Sequence, residues 1–141
     1  PRNLCSHFSM SAKPLFILIC SEEHEKIQMA AMMASIAAVS ETPVHVFVSM
    51  GAIYPFQKNL SVDERYKGGR FSQVLKDKNA PDSMELFGQG KMLGEMTMHA
   101  CSMALDVLGW DENELVEGLF DGCMGLTKFL SDAEQGELIT L

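Results

Sequence analysis

Residues 95–110 read EMTMHACSMALDVLGW, and the pattern of side chains changes at the cysteine in the middle of this stretch. Before the cysteine, apolar and polar side chains alternate, which is typical of a β-strand with two different faces. After it, apolar residues recur at helical spacing until Gly109, a residue type that often ends helices. The stretch therefore predicts a strand that leads directly into a helix, with Cys101 at the junction.

Further strands are predicted on both sides of this stretch. The continuous apolar run KPLFILIC, residues 13–20, is typical of a strand that is covered on both faces in a parallel sheet. The β-branched run TPVHVFVSM, residues 42–50, predicts the next strand, and ELITL, residues 137–141, predicts a closing strand. Helices are expected between the strands.

The first helix is expected over residues 22–40, with Ser21 as its N-cap. Short helical pieces are expected within the weak pattern of residues 52–81. The remaining predicted helices are a helix over 82–93 capped by Asp82 or Ser83 and broken or bent at Gly88 and Gly90, a short helix at DENELVEG capped by Asp111, and a last helix over 122–136. Strands that alternate with helices predict an α/β fold: a mostly parallel sheet of four to five strands with helices on both faces.

Length and composition set the class of protein. The chain has 141 residues and a formal net charge of −8, which is unfavourable for nucleic-acid binding. No apolar run approaches the roughly 20 residues of a membrane span, so we expect a soluble, cytoplasmic protein without a membrane partner. Residues 1–9, PRNLCSHFS, show no periodicity and are expected to form an N-terminal extension outside the fold. Residues 10–141 are expected to form a single domain.

Basic residues are concentrated in the middle of the chain. Seven of the 11 Lys and Arg residues lie between positions 57 and 91, where they outnumber the acids. Such a segment is either an ordinary solvated surface or a patch for an anionic substrate or partner.

The cysteines are the candidate reactive groups. Cys5, Cys20, Cys101 and Cys123 are widely spaced and form no metal or redox motif, so we expect neither metal nor organic cofactor. Cys101 falls at the carboxyl edge of the predicted sheet, where catalytic groups gather, and at a helix N-terminus, which favours the thiolate. The alternative is a buried cysteine that packs like alanine.

Four further residues are candidate accessories to Cys101. His99 lies two residues earlier, on the same side of the strand. Cys20 follows the first strand and is close to Cys101 only if that strand lies beside the one that ends at Cys101; otherwise it is a core residue. Cys123, expected at the start of the last helix, is either a resolving thiol or inert. His24 either reaches the same edge from the first helix or is simply exposed.

Three stretches resemble the DsrE/DsrF-like sulfur-relay family, in particular the small branch often labelled peroxiredoxin-like. HACSMALDVLG, residues 99–109, is similar to the cysteine motif of that branch, DENELVEG to its acidic helix and GLTKFL to its final helix. The resemblance implies a flavodoxin-like three-layer fold, homo-oligomers that are trimers or multiples of trimers, and no cofactor. It also implies that Cys101 carries sulfane sulfur as a persulfide and passes it to a partner thiol, such as that of a TusA-like carrier.

Three functions are therefore open. The first is a sulfur carrier or sulfurtransferase-like protein that forms a persulfide on Cys101. The second is a redox-sensing thiol module that pairs Cys101 with Cys20 or Cys123. The third is a non-catalytic, oligomeric binding subunit of a sulfur-relay complex.

Overall fold

Five parallel strands form one sheet in the computed structural model, which describes residues 13–141. The predicted N-terminal extension, residues 1–9, lies outside the described residues. The strand order across the sheet is β4-β3-β2-β1-β5. The strands are β1 (Leu15–Ile19), β2 (Val44–Val48), β3 (Met96–Cys101), β4 (Gly122–Met124) and β5 (Glu137–Thr140). The predicted α/β fold with a parallel sheet is confirmed.

Six α-helices lie within the described part of the chain. They are α1 (His24–Val39), α2 (Val62–Arg65), α3 (Arg70–Asp77), α4 (Ser83–Leu93), α5 (Ser102–Leu108) and α6 (Leu126–Ala133). Two 3-10 helices, Met50–Phe56 and Glu112–Glu114, complete the regular structure. No helix in residues 13–141 has both the length and the apolar character needed to cross a membrane.

The two faces of the sheet are covered by different helices. One face, which we call the helix-pair face, packs against α1 and α4. On β2 and β3 it presents only apolar residues: Val44, Val46, Val48, Met96, Met98 and Ala100. The other face, which we call the α6 face, is covered by α6 through Phe129, whose ring stacks on Phe47 with centroids 4.8 Å apart. The helices therefore lie on both faces, as predicted.

Helices α1 and α4 approach each other closely where α4 carries glycine. A β-carbon at Gly90 would lie 3.2 Å from the Cα atom of Ser35 in α1, so a larger residue would push the two helices apart. A break at Gly88 and Gly90 does not occur, because α4 runs without interruption from Ser83 to Leu93. Close helix packing, rather than a break, explains the glycine at position 90.

The helix boundaries correct three further predictions. Ser21 is not the N-cap of α1; Glu23 holds that position, and the Ser21 hydroxyl accepts a hydrogen bond from its N–H at 3.1 Å. The segment after Asp111 forms a single 3-10 turn instead of an α-helix. Cys123 lies in β4, not in the last helix, because residues 122–124 pair with β3 and α6 begins only after Gly125.

Candidate functional site at the junction of β3 and α5

Cys101 is both the last residue of β3 and the N-cap residue of α5. Its backbone is extended, with φ −67° and ψ 119°, and the chain turns into the helix at the next residue. The first N–H groups of an α-helix lack partners within the helix and carry the positive end of its dipole. The Cys101 sulfur lies at this helix start but accepts no hydrogen bond from those N–H groups.

The Cys101 side chain is buried. Its exposed fraction is 4%, and it belongs to the hydrophobic core. Because the side chains of a strand alternate, it lies on the α6 face together with His99. Reaction with a dissolved molecule therefore requires a small displacement of the side chains that cover the sulfur.

His99 and Met124 are the neighbours of Cys101 on this face. His99 precedes it by two residues and is half-buried, so the predicted placement on the same side of the strand is confirmed. Met124 pairs directly with Cys101 across β3 and β4. The Ser102 hydroxyl donates a hydrogen bond to the Met124 carbonyl at 3.3 Å, which ties the start of α5 to β4.

Cys20 is not a neighbour of Cys101. Strand β2 lies between β1 and β3, so the strand order that would have brought the two cysteines together does not occur. Two strand spacings amount to about 10 Å, whereas a disulfide requires Cα atoms within about 7 Å. Cys20 is exposed, and its thiol donates a weak hydrogen bond to the carbonyl of Leu141 at 3.4 Å.

Cys123 is close to Cys101 along the sheet but points to the opposite face. It pairs with Ala100, whose side chain lies on the helix-pair face, whereas Cys101 lies on the α6 face. Side chains that point apart cannot form a disulfide without backbone movement. Partial burial and the neighbouring Glu112 carboxylate raise the pKa of the Cys123 thiol, which disfavours its thiolate.

His24 is buried rather than exposed, because the segment before and within α3 covers it. Its exposed fraction is 4%, its ring stacks on Tyr66 with centroids 4.4 Å apart, and its Nδ1 lies 2.7 Å from the Ser72 hydroxyl. Tyr66 in turn donates a hydrogen bond to Asp82 at 2.7 Å. His24 thus belongs to a polar cluster that joins α1, α3 and α4, and the structure does not place it with Cys101.

Stability is expected to fall in mild acid because of His24. Burial and the Lys76 ammonium lower its pKa below the usual value near 6.5, although Asp82 opposes them. Below about pH 6.5 the unfolded chain therefore binds more protons than the folded chain, and stability falls until the pH passes the folded-state pKa. Urea unfolding between pH 8 and 5 should show a shallower loss for His24→Gln than for the unchanged protein. Parallel pH profiles would contradict this assignment.

A cavity on the α6 face, with polar and apolar side chains in its lining, was not predicted from the sequence. It has a volume of about 360 Å³ and is lined by His45, Thr97 and His99 from the sheet, together with residues of α6. The Nδ1 atom of His45 lies 2.7 Å from the Thr97 hydroxyl. Burial lowers the pKa of His45, while the charges of Glu95 and Asp132 oppose this shift and His99 adds to it. The available signal was the polar residue His45 within the apolar run VHVFV, together with Thr97 and His99 at alternate positions of MTMHAC.

The basic segment is largely engaged in contacts within the chain. The Arg65 guanidinium donates hydrogen bonds to the carbonyls of Pro55, Gln57 and Leu60. Lys91 pairs with Asp121 at 2.6 Å, and Lys76 lies 3.5 Å from Asp63. These contacts favour a structural role over an anion-binding patch.

Metal ligands are not grouped in the part of the chain that the structure describes. Within residues 13–141, no three His, Cys, Asp or Glu side chains lie close enough together to hold a metal ion. The chemistry that these residues support is that of a single cysteine with a nearby histidine.

Comparisons with known proteins agree with the fold. The model of the DsrE/DsrF/DrsH-like family matches residues 60–140, more than half of the chain. No curated protein matches the sequence. A solved structure of a protein of unknown function from Methanobacterium thermoautotrophicum is similar, with a TM-score of 0.60 and 16% sequence identity, over 92% of this chain and 99% of that chain. At this identity the likeness shows the fold alone.

Proposed function

Because the chain belongs to the DsrE/DsrF/DrsH-like family, we propose that it carries sulfane sulfur as a persulfide on Cys101 and passes it to a partner thiol. The supporting observation is the position of Cys101 at the carboxyl edge of β3, as the N-cap of α5. Of the three cysteines in the described residues, it alone combines a helix N-terminus with a histidine on the same strand face.

The proposed chemistry needs no cofactor. The Cys101 thiolate attacks the outer sulfur of a persulfide or polysulfide donor, and the donor's sulfur–sulfur bond breaks. The electron pair of that bond stays on the departing sulfur. The resulting Cys101 persulfide then presents its terminal sulfur to an acceptor thiolate, which regenerates Cys101. A TusA-like carrier is the kind of acceptor that we propose, and the working form is a homo-oligomer.

A redox sensor receives less support from the geometry. A disulfide of Cys101 with Cys20 would have to span β2, and one with Cys123 would have to join opposite faces of the sheet. Both pairings require backbone movement, whereas persulfide formation requires only that a small donor reach one sulfur.

Mass spectrometry of two variants tests the proposal. One variant keeps Cys101 and replaces Cys5, Cys20 and Cys123 with serine; the other carries only Cys101→Ser. After exposure to inorganic polysulfide in native buffer, the first is expected to gain sulfur on Cys101 and to lose it to added acceptor thiol. The second reports the background labelling of the remaining thiols.

Because Cys101 is buried, one result of this experiment would contradict the proposal. If Cys101 gains sulfur only in urea, the residue is a core cysteine and the persulfide proposal fails. A Cys101→Ala protein that binds its partners and supports sulfur transfer at the normal rate would instead indicate a non-catalytic binding subunit.

A further inference from the structure

The cavity on the α6 face lies beside Cys101. His99 lines it from β3, and Met124 lines it from β4. Met124 pairs directly with Cys101, and His99 lies two residues before it on the same face. Cys101 itself does not line the cavity; it lies behind two of the side chains that form the wall, at the end nearest to the carboxyl edge.

The polar side chains that β2 and β3 contribute to the cavity are unusual for the central strands of a parallel sheet. Such strands are commonly apolar on both faces, because helices cover both. Here β2 and β3 are apolar toward the helix pair but carry His45, Thr97 and His99 on the α6 face, where all three are half-buried. These groups offer hydrogen bonds to a small molecule in the cavity.

The opposite wall offers both signs of charge. Lys128 and Asp132 of α6 line the cavity and pair with each other at 2.8 Å. The Lys128 side chain is 64% exposed, and an exposed pair of this kind contributes little, so the charged groups of a ligand can compete for it. Phe16 and Phe129 add apolar surface to the same cavity. The lining thus suits a small zwitterion with a short apolar stem.

From this arrangement we propose that the cavity binds an amino-acid-sized organic persulfide, with the structure of cysteine persulfide, as the sulfur donor for Cys101. This inference rests on the proposed function. The volume of about 360 Å³ accommodates such a molecule, because small-molecule sites in proteins begin at about 300 Å³. The ligand's carboxylate and ammonium pair with Lys128 and Asp132, and its outer sulfur points toward Cys101.

The transfer step balances without an oxidant or reductant. The Cys101 sulfur forms a bond to the outer sulfur of R–S–SH as the sulfur–sulfur bond of the donor breaks. The inner sulfur leaves with the electron pair of that bond. It takes up the proton that Cys101 gives up. The products are the Cys101 persulfide and the thiol R–SH.

Two tryptophan variants at the end of α6 test the cavity: one places the new side chain in the cavity, and the other places it on the surface nearby. Gln135 is exposed and lines the cavity, whereas its neighbour Glu134 is exposed and does not. Gln135→Trp should slow the loading of Cys101 by cysteine persulfide by about tenfold or more, because the donor loses its binding position. Glu134→Trp should load at the normal rate with cysteine persulfide and with inorganic polysulfide. Equal loading of the two variants by cysteine persulfide would overturn the proposal.

Binding of an unreactive probe tests the cavity independently of sulfur transfer. S-methylcysteine added to Cys101→Ser protein should shift the NMR signals of the His45 and His99 rings until saturation. The shifts should persist in the Glu134→Trp background and disappear in the Gln135→Trp background. Unchanged ring signals would overturn the cavity as a ligand site, even if polysulfide loads Cys101.

These experiments therefore distinguish a failure of the proposed function from a failure of the cavity proposal. If no donor loads Cys101, the proposed function fails and the donor role fails with it, whereas the probe titration still decides whether the cavity binds amino acids. If polysulfide loads Cys101 but Gln135→Trp does not slow the loading of Cys101 by cysteine persulfide, only the cavity proposal fails.

Discussion

Gly94→Ala is expected to lower the free energy of unfolding by about 3 kcal/mol, the upper end of the usual cost of overpacking. A β-carbon at Gly94 would overlap the carbonyl oxygen of Ala38, and it would lie 2.5 Å from the carbonyl carbon and 2.9 Å from the Ala38 side chain. The obstacle is the backbone at the end of α1, which cannot move aside like a flexible side chain. Relief requires that α1 and the end of α4 separate, and both helices cover the same face of the sheet.

Gly88→Ala is the matched control, since it lies on the same helix with open space around it. The nearest atom to a β-carbon there is a methyl group of Leu119 at 4.0 Å. Alanine favours a helix interior over glycine, so this variant should be unchanged or more stable by up to about 1 kcal/mol. Urea unfolding followed by far-UV circular dichroism measures both variants. Similar stabilities for the two would show that α1 and α4 are not packed as closely as described.

Asp82→Ala is expected to lower the free energy of unfolding by about 2–4 kcal/mol, because the Asp82 carboxylate makes two kinds of stabilising hydrogen bond. One oxygen caps α4 by accepting hydrogen bonds from the N–H groups of Met84 and Glu85, at 3.1 and 3.3 Å. The other accepts a hydrogen bond from the Tyr66 hydroxyl at 2.7 Å, and Tyr66 is only 2% exposed. Alanine would remove the cap and leave a buried hydroxyl without its acceptor.

Asp111→Ala provides the comparison for capping alone. Asp111 is exposed, and its carboxylate accepts one N–H, from Asn113 at 2.7 Å. This loss should cost no more than about 1 kcal/mol. Thermal and urea unfolding of the two variants, with Asp82→Asn as the cap-preserving substitution, separate the contribution of the cap from that of Tyr66. Equal losses for Asp82→Ala and Asp111→Ala would mean that the Tyr66 hydrogen bond contributes nothing to stability.

Features that depend on neighbours in the sequence were predictable. The apolar run at β1, the alternation at β3 and the cap at Asp82 each arise from residues within one turn or one strand. The position of Cys101 between strand and helix follows from the same local change of period. For this reason the α/β fold and the junction at β3 and α5 were predicted correctly.

Features that depend on contacts between distant segments of the chain were not predictable from the sequence. The lateral order of the strands, which separates Cys20 from Cys101, is decided by the packing of whole helices on the sheet. The three-residue strand β4 is too short to show a period, so Cys123 was placed in a helix. His24 is buried by Tyr66, 42 positions later in the chain, and no local pattern around either residue announces that contact.

The two faces of the sheet are covered differently: the face beneath α1 and α4 is apolar, and the α6 face carries half-buried polar side chains. The apolar side chains beneath α1 and α4 tolerate little variation, because interiors are packed like crystals. The polar groups opposite them are only half-buried and line a cavity. A library of variants confined to His45, Thr97 and the exposed residues of α6 would therefore vary the lining of the cavity while the scaffold stays intact.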